Sequence, residues 1–212
     1  MNSFLTLAFL FFLGSVLGWV LELFFRRFLS RNNSERKWIN PGFCIGPYLS
    51  LYGTGLCLLY LIASLEENQI IPDPFGNRVM LFLLMAFGMT IIEYLAGNLL
   101  LNFFHIRLWD YTNEWANIQG IICPKFSLIW AISGIIYYYL LHPHILTVLL
   151  WLSNHPAFSF FIGLFFGIWI LDTIHSARSI LRQQSSKGRS LTETNDTKIE
   201  LSPPTSYQRW KG

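Results

Sequence analysis

The chain has 212 residues, of which 53% are hydrophobic and only 13% are charged, and its formal net charge at pH 7 is +3. Soluble domains carry about 25% charged residues, so this composition excludes an ordinary soluble domain and predicts no nucleic-acid partner. The 19 phenylalanines and 8 tryptophans are typical of lipid-facing helices and of aromatic belts at the membrane surface. We therefore expect an all-α, polytopic helical bundle in the cell membrane, surrounded by the lipid bilayer.

Five apolar segments predict about five transmembrane helices within a domain of residues 1–175. They cover residues 4–25, 47–65, 79–104, 126–141 and 157–175. Lys and Arg dominate the loops that follow the first and fifth segments, Arg107 and Lys125 follow the third, and acidic residues dominate the loop after the second. This asymmetry predicts an outside N-terminus and a cytoplasmic C-terminus. We expect the first segment to be retained as a helix, because no positive side chain precedes it as in a signal peptide.

Two parts of this layout differ from ordinary membrane helices. Segment 126–141 is short for a hydrocarbon core of about 30 Å, and residues 145–152 form a separate apolar run. We expect that run to be interfacial or re-entrant, and the alternative is the outer half of the last helix. Residues 176–212 are polar and rich in Ser and Thr, which predicts a disordered cytoplasmic tail or a basic segment lying on anionic lipid.

Two glutamates lie within apolar segments. A charged side chain at membrane depth costs about 2.5–3.5 kcal/mol on insertion scales, so it faces protein or water rather than lipid. Glu93 needs a partner from another helix or from a loop, because Arg107 is too far along the same helix. Glu22 follows the small residue Gly18 on one helix face, where it can pair with Arg26 or point into the bundle.

The loop over residues 38–55, WINPGFCIGPYLSLYGTG, contains glycines and prolines that forbid a simple helix. Such backbone is tolerated at membrane depth only where protein buries it or water reaches it. We interpret it as a structured loop that dips toward the bundle and offers its peptide groups as ligands. The alternative is a tight loop that positions the next helix. Its candidate pocket residues are Asn40, Gly46, Pro47 and Tyr52.

The loop over residues 105–125 is the most polar part of the membrane domain. Trp109 and Tyr111 suit an anchor at the lipid headgroups, and Asp110 can cap a turn. One interpretation is a well-capped interfacial loop. The other is that these three residues contribute to a binding pocket.

The charge asymmetry places many of these polar side chains at one end of the bundle. We hypothesise a single cytoplasm-facing polar pocket formed by Glu22, Glu93, Asp110 and Asn117. Tyr94, next to Glu93, is a further candidate.

The sequence nominates no catalytic residue, cofactor or metal ligand. The three cysteines are isolated in sequence, without the paired spacing of metal or redox sites. The chain has no G-x-x-x-x-G-K-[ST] loop for ATP phosphates and no HExxH motif. Asp172 and His175 near the end of the last segment predict a capped or paired helix end, with a proton relay as the alternative.

Five short motifs over roughly residues 10–140 occur in a recognisable order. They are G-W-x-x-E from Gly18, N-x-G-F-x-x-G-P from Asn40 followed by Y-G-x-G from Tyr52, E-Y-x-x-G from Glu93, W-D-Y from Trp109 and N-I-x-G-x-I-C from Asn117. In this order and spacing they resemble the family labelled "putative ABC-transporter type IV", the CmpB-like ABC transporter permeases. Trp115-Ala116 departs from the expected Pro-Phe, and we match no motif after about Leu141.

The resemblance implies a membrane transport subunit and leaves the substrate open. An ABC permease needs an ATPase, and without a phosphate-binding loop here the ATPase would be a separate subunit. Five spans are few for an independent transporter, so we also expect a homodimer or another partner. Two alternatives stay open: a non-catalytic structural or regulatory membrane protein, and a membrane-embedded enzyme that uses its acids on a lipid.

Overall fold

The computed structural model describes residues 2–30, 33, 35–68 and 72–200, with side chains described up to residue 186 except at 67–68. Six α-helices occupy these residues. They are α1 (Ser3–Phe28), α2 (Ser50–Ala63), α3 (Pro74–Phe104), α4 (Pro124–Ile136), α5 (His142–Asn154) and α6 (Ser159–Glu200).

Four stretches of helix in the described part of the chain are long and apolar enough to cross a membrane. They are Ser3–Phe28, Pro74–Phe104, Pro124–Asn154 and Pro156–Ser186, and the shorter apolar helix Ser50–Glu66 lies beside them. Many of their outward side chains are large and apolar, such as Phe87 and Leu171, which are 67% and 71% exposed. Lipid is the medium that suits such surfaces. The protein is therefore a multi-pass, all-α membrane bundle, as the composition predicted.

Helices α4 and α5 form one continuous span. A π-helical turn, Tyr137–Leu141, joins them, so the helix runs from Pro124 to Asn154. Pro143 has no N–H and clashes within a regular α-helix, and the wider π-turn just before it accommodates the proline. Our expectation of an interfacial or re-entrant segment at residues 145–152 was wrong, because these residues belong to the continuous α4–α5 helix, in which Ile145, Leu149 and Leu152 are buried.

Helix α6 continues well beyond the predicted end of the last span, to Glu200. Two side chains after residue 175 hold this extension against the bundle. Ser176 is 5% exposed, and the Gln184 Nε2 donates a hydrogen bond to the Phe104 carbonyl at the end of α3. Residues 176–200 are thus helical rather than the disordered tail that we expected from composition, and residues 201–212 lie outside the described residues.

The hydrophobic core occupies one end of the bundle. It combines the beginnings of α1 and α3 with the end of α2, and with parts of α4, α5 and α6. Its most deeply buried members, each at most 1% exposed, are Leu10, Leu81, Met85, Tyr137 and Leu152. The dense packing at this end leaves the opposite end as the place where a cavity can form.

Glycines allow α1 and α2 to pack more extensively than any other pair of helices in the described residues. A Cβ atom on Gly18 would lie 2.3 Å from the side chain of Tyr52, and one on Gly53 would lie 2.2 Å from the Ser15 Oγ. Small residues at helix interfaces let two backbones approach closely. Gly18 therefore sets the position of Tyr52, which is important for the site described below.

We expect Gly18→Ala to lower the thermal stability of the purified protein by several degrees, because overpacking typically costs about 1–3 kcal/mol. Gly163→Ala is the matched control, since nothing lies within 4 Å of a Cβ at that helical position. Thermal unfolding in detergent measures both. Equal melting temperatures for the two variants would contradict the proposed α1–α2 packing constraint.

A candidate ligand cavity at one end of the bundle

A cavity of about 470 Å³ lies at the end of the bundle where α1 and α3 finish and α2 and α4 begin. This volume is within the range of about 300–1,000 Å³ that is typical of small-molecule sites. Most of the wall is apolar or aromatic. The charged and aromatic lining residues are Glu22, Arg26, Glu93, Phe43, Tyr48, Tyr52, Phe104, Trp109, Tyr111 and Trp130.

Glu93 is the deepest charged group of the cavity, with only 3% of the residue exposed. The Tyr111 hydroxyl donates to Glu93 Oε1 at 3.0 Å, and the Trp130 indole Nε1 donates to Oε2 at 2.8 Å. The donors come from the 105–123 loop and from α4. This confirms the expectation that a partner for Glu93 must come from another helix or from a loop.

Glu22 satisfies both interpretations that the sequence left open. Its Oε1 accepts a bond from the Arg26 Nε at 2.9 Å, one turn along α1, and its Oε2 accepts a bond from the Tyr52 hydroxyl at 2.9 Å. The carboxylate is therefore ion-paired at the helix end and also faces the cavity. Arg26 in turn donates to the Leu108 carbonyl at 3.2 Å, which ties α1 to the 105–123 loop.

The 105–123 loop folds over the ends of α3 and α4. The Trp109 indole donates to the Ile121 carbonyl at 2.9 Å, and the Tyr111 ring stacks on Phe126 with 4.1 Å between ring centroids. Gly97 of α3 gives this loop room, because a Cβ there would lie 2.4 Å from Ile121. Burial, followed by the charge of Glu93, raises the pKa of Tyr111, so its hydroxyl stays protonated as a donor.

Asp110 and Asn117 do not line the cavity, contrary to the predicted four-residue pocket. Bonds from the Thr112 side chain and N–H, and then the nearby Arg107, lower the pKa of Asp110. Asn117 Nδ2 donates to the Thr112 and Glu114 carbonyls at 3.0 and 2.9 Å, and its Oδ1 accepts the Gly120 N–H at 2.9 Å. Both side chains form their hydrogen bonds within their own loop, which agrees with the interpretation of a well-capped interfacial loop.

The glycine- and proline-rich loop is structured mainly by Asn40. Its Oδ1 accepts the Trp19 indole N–H from α1 at 2.9 Å, and its Nδ2 donates to the carbonyls of Cys44 and Ile45 at 2.8 and 3.1 Å. Asn40 thus shapes the loop without lining the cavity. Pro47, also proposed as a pocket residue, is exposed and away from the lining.

Gly46 and Tyr94 are two further candidates that the structure leaves outside the cavity wall. Of the sequence candidates, Glu22, Tyr52, Glu93, Trp109 and Tyr111 share the one cavity. Trp130 was missed because a tryptophan in an apolar helix looks like a lipid-facing residue until its indole is seen to point at an acid.

Asp172 of α6 is a second residue whose role the sequence left open. Its carboxylate accepts the N–H groups of Gly46 at 2.8 Å and Ile45 at 3.2 Å, and also the Tyr48 hydroxyl. The Ser176 hydroxyl adds a bond at 3.2 Å. Asp172 therefore clamps the glycine- and proline-rich loop to α6, a role closer to the expected paired helix end than to a proton relay.

A family model described as "Putative ABC-transporter type IV" matches residues 9–177, well over half of the chain. The chain belongs to this family. Comparisons with curated proteins and with solved structures gave no significant match. The family match extends past Leu141, where the sequence motifs ended, and so it includes the continuous α4–α5 span and the membrane part of α6.

The family motifs lie at the cavity and its supports. G-W-x-x-E supplies Glu22 together with the Gly18 and Trp19 contacts, and E-Y-x-x-G supplies Glu93 together with the Gly97 contact. W-D-Y supplies Trp109 and Tyr111 to the wall. The motifs that carry the resemblance therefore supply either cavity residues or the loop hydrogen bonds that support them, as Asn117 does within its loop.

We expect Asp172→Asn to loosen the glycine- and proline-rich loop. An amide cannot accept from all the donors that the carboxylate serves, and an unpaired buried donor costs about 1–3 kcal/mol. Cys44 in this loop is 7% exposed, and burial raises the pKa of its thiol, so the folded loop should protect it from alkylation. The variant should alkylate roughly tenfold faster at Cys44.

Two references make this measurement specific. Cys123, 2% exposed in the other loop, should alkylate at an unchanged rate in the same variant. Asp73→Asn makes the same chemical change at the N-cap of α3, where Asp73 accepts the Gly76 N–H at 2.6 Å, and should leave Cys44 protected. A Cys44 rate that does not respond to Asp172→Asn would contradict the clamp.

Proposed function

We propose that the chain is the membrane-spanning subunit of a transporter and that its solute binds in the cavity containing Glu22 and Glu93. The observation that carries this proposal is the asymmetry of the bundle. A drug-sized cavity with a buried glutamate and a partly buried ion pair occupies one end, and a close-packed core occupies the other. Such a cavity, closed at one side of the membrane, is what a transport subunit needs in one of its states.

We propose that the cavity faces the cytoplasm. The cavity end of the bundle carries most of the positive side chains, including Arg27, Lys37, Arg107 and Lys125, and the opposite end carries Glu66 and Asp73 with Arg78. Positively charged loops are retained on the cytoplasmic side of cell membranes. The same rule would place the N-terminus outside.

We further propose a separate ATPase subunit as the energy source. Membership of an ABC-transporter family supports this, and the chain itself has no phosphate-binding loop. A homodimer would supply the larger number of spans that a complete translocation path requires.

A structural or regulatory role is the second candidate, and one observation favours it. Both carboxylates in the cavity are already bonded by protein donors, so they could serve to fix the helices without binding a solute. The two candidate functions predict different effects of substitutions, which two experiments measure; a third experiment tests the proposed orientation.

Transport predicts a defect that is separate from stability. Membrane vesicles containing the chain and its ATPase should show an ATP-dependent change in the content of at least one solute. The double variant Glu22→Gln/Glu93→Gln should lose it. Glu114→Gln, which removes a half-buried carboxylate outside the cavity that pairs with Lys125 at 2.7 Å, should retain it. If the double variant keeps every ATP-dependent change, the transport proposal is wrong.

The structural candidate predicts only a change of stability. Glu93→Gln leaves one acceptor oxygen for two donors, the Tyr111 hydroxyl and the Trp130 indole, and should lower the free energy of unfolding by about 1–3 kcal/mol. Glu114→Gln should change it by less than about 1 kcal/mol. Thermal unfolding in detergent provides the measurement, and an unchanged stability for Glu93→Gln would contradict the buried hydrogen-bond network itself.

The proposed orientation can be measured with introduced cysteines in a chain whose native cysteines are replaced by alanine. Trp115→Cys lies at an 82% exposed position at the cavity end, and Phe75→Cys lies at a 76% exposed position at the opposite end. A membrane-impermeant maleimide applied to intact cells should label position 75 and spare position 115. The reverse pattern would show that the cavity opens to the outside.

A further inference from the structure

The charged groups of the cavity do not balance. Two carboxylates, Glu22 and Glu93, line it against a single guanidinium, that of Arg26, which leaves one negative charge in excess among the described residues. An unbalanced charge in a mostly apolar cavity is expensive, and a bound ligand of opposite sign would offset that cost.

The excess charge can be placed on Glu93. Arg26 is committed to Glu22 at 2.9 Å, whereas the polar contacts that the structure gives the Glu93 carboxylate are the neutral Tyr111 hydroxyl and Trp130 indole. An indole N–H can only donate, so Glu93 Oε2 accepts, and the ionised form of this carboxylate has no positive partner in these contacts. Glu93 is thus a buried acceptor without a cation among the residues described around it.

Aromatic rings surround this acid. Tyr52, Trp109, Tyr111 and Trp130 all line the same cavity, and the rings of Tyr52 and Trp130 meet edge to face with 6.5 Å between their centroids. The faces of tyrosine and tryptophan rings attract ammonium groups, including quaternary ones that cannot donate a hydrogen bond. Leucine, alanine and phenylalanine side chains complete the wall and suit an apolar body attached to such a group.

We propose that the cavity binds an organic monocation: an ammonium group held by Glu93 and the surrounding aromatic rings, with an apolar body against the remaining wall. A single excess negative charge selects a monocation over a dication or an anion. The inference rests on the proposed function only in taking this cavity as the place where solute binds.

Binding of benzyltrimethylammonium to the purified full chain tests the proposal. Isothermal titration should show saturable binding of this cation, and benzylsulfonate, which has a similar ring and the opposite charge, should show none. Glu93→Gln should weaken the cation about tenfold or more, because it removes the counter-charge in a medium of low dielectric. Glu114→Gln should leave the affinity unchanged.

A second variant keeps the test valid if Glu93→Gln is unstable. Ala96→Phe fills part of the cavity and retains all its charges, so it should abolish binding. Its control is Leu95→Phe at the neighbouring position, which is 58% exposed and outside the lining. The proposal is overturned if the wild-type chain shows no saturable binding, if benzylsulfonate binds equally well, or if the cavity variants keep full affinity.

The same titration distinguishes two sources of an ammonium group. In nanodiscs of phosphatidylglycerol the cation binds without competition, and added phosphatidylcholine should compete only if a lipid headgroup is the ligand. A free ammonium solute is assigned if phosphatidylcholine has no effect. Cation binding without ATP-dependent transport would overturn the transport proposal alone, whereas transport that survives the loss of cation binding would overturn this inference alone.

Discussion

The hydrogen bonds of Glu93 determine how the rest of this bundle is arranged. A carboxylate inside an apolar helix has no water to bind, so the protein must bring donors to it. Here the donors are a tyrosine from a loop and a tryptophan from another helix. To place them, α4 must pack beside α3, and the 105–123 loop must fold back over both. One buried acid thus fixes the relation between two helices and a loop.

On the other side of the cavity, an ion pair and hydrogen bonds to backbone groups likewise hold separate elements together. Arg26 neutralises Glu22 and also binds the Leu108 carbonyl, and Asp172 satisfies two free N–H groups of the glycine- and proline-rich loop. Each polar group therefore connects two elements that are distant in sequence. These bonds keep the cavity open, because side chains that are held by fixed partners cannot move in to fill it.

Much of this arrangement could be predicted from sequence. Mean hydropathy predicts the membrane bundle, the loop charges indicate the end at which the cavity lies, and the cost of burying acids singles out Glu22 and Glu93. Local pattern was also sufficient to predict that Asp110 caps a turn, because its partners Thr112 and Arg107 are close to it in sequence. Composition was misleading at residues 176–200, which are helical, because polar residues such as Ser176 and Gln184 that hold a helix against the bundle resemble those of a tail.

The sequence by itself determined the class of protein, its family and the two acids that require explanation, because these depend on local residue types and their spacing. The tertiary structure alone decided which groups meet: Trp130 at Glu93, Tyr52 at Glu22, and Asp172 at the loop around Gly46. It also decided that Asp110 and Asn117 stay outside the cavity. Such pairings depend on helix rotation and loop path, which are set by packing over the whole bundle and leave no local signal in the chain.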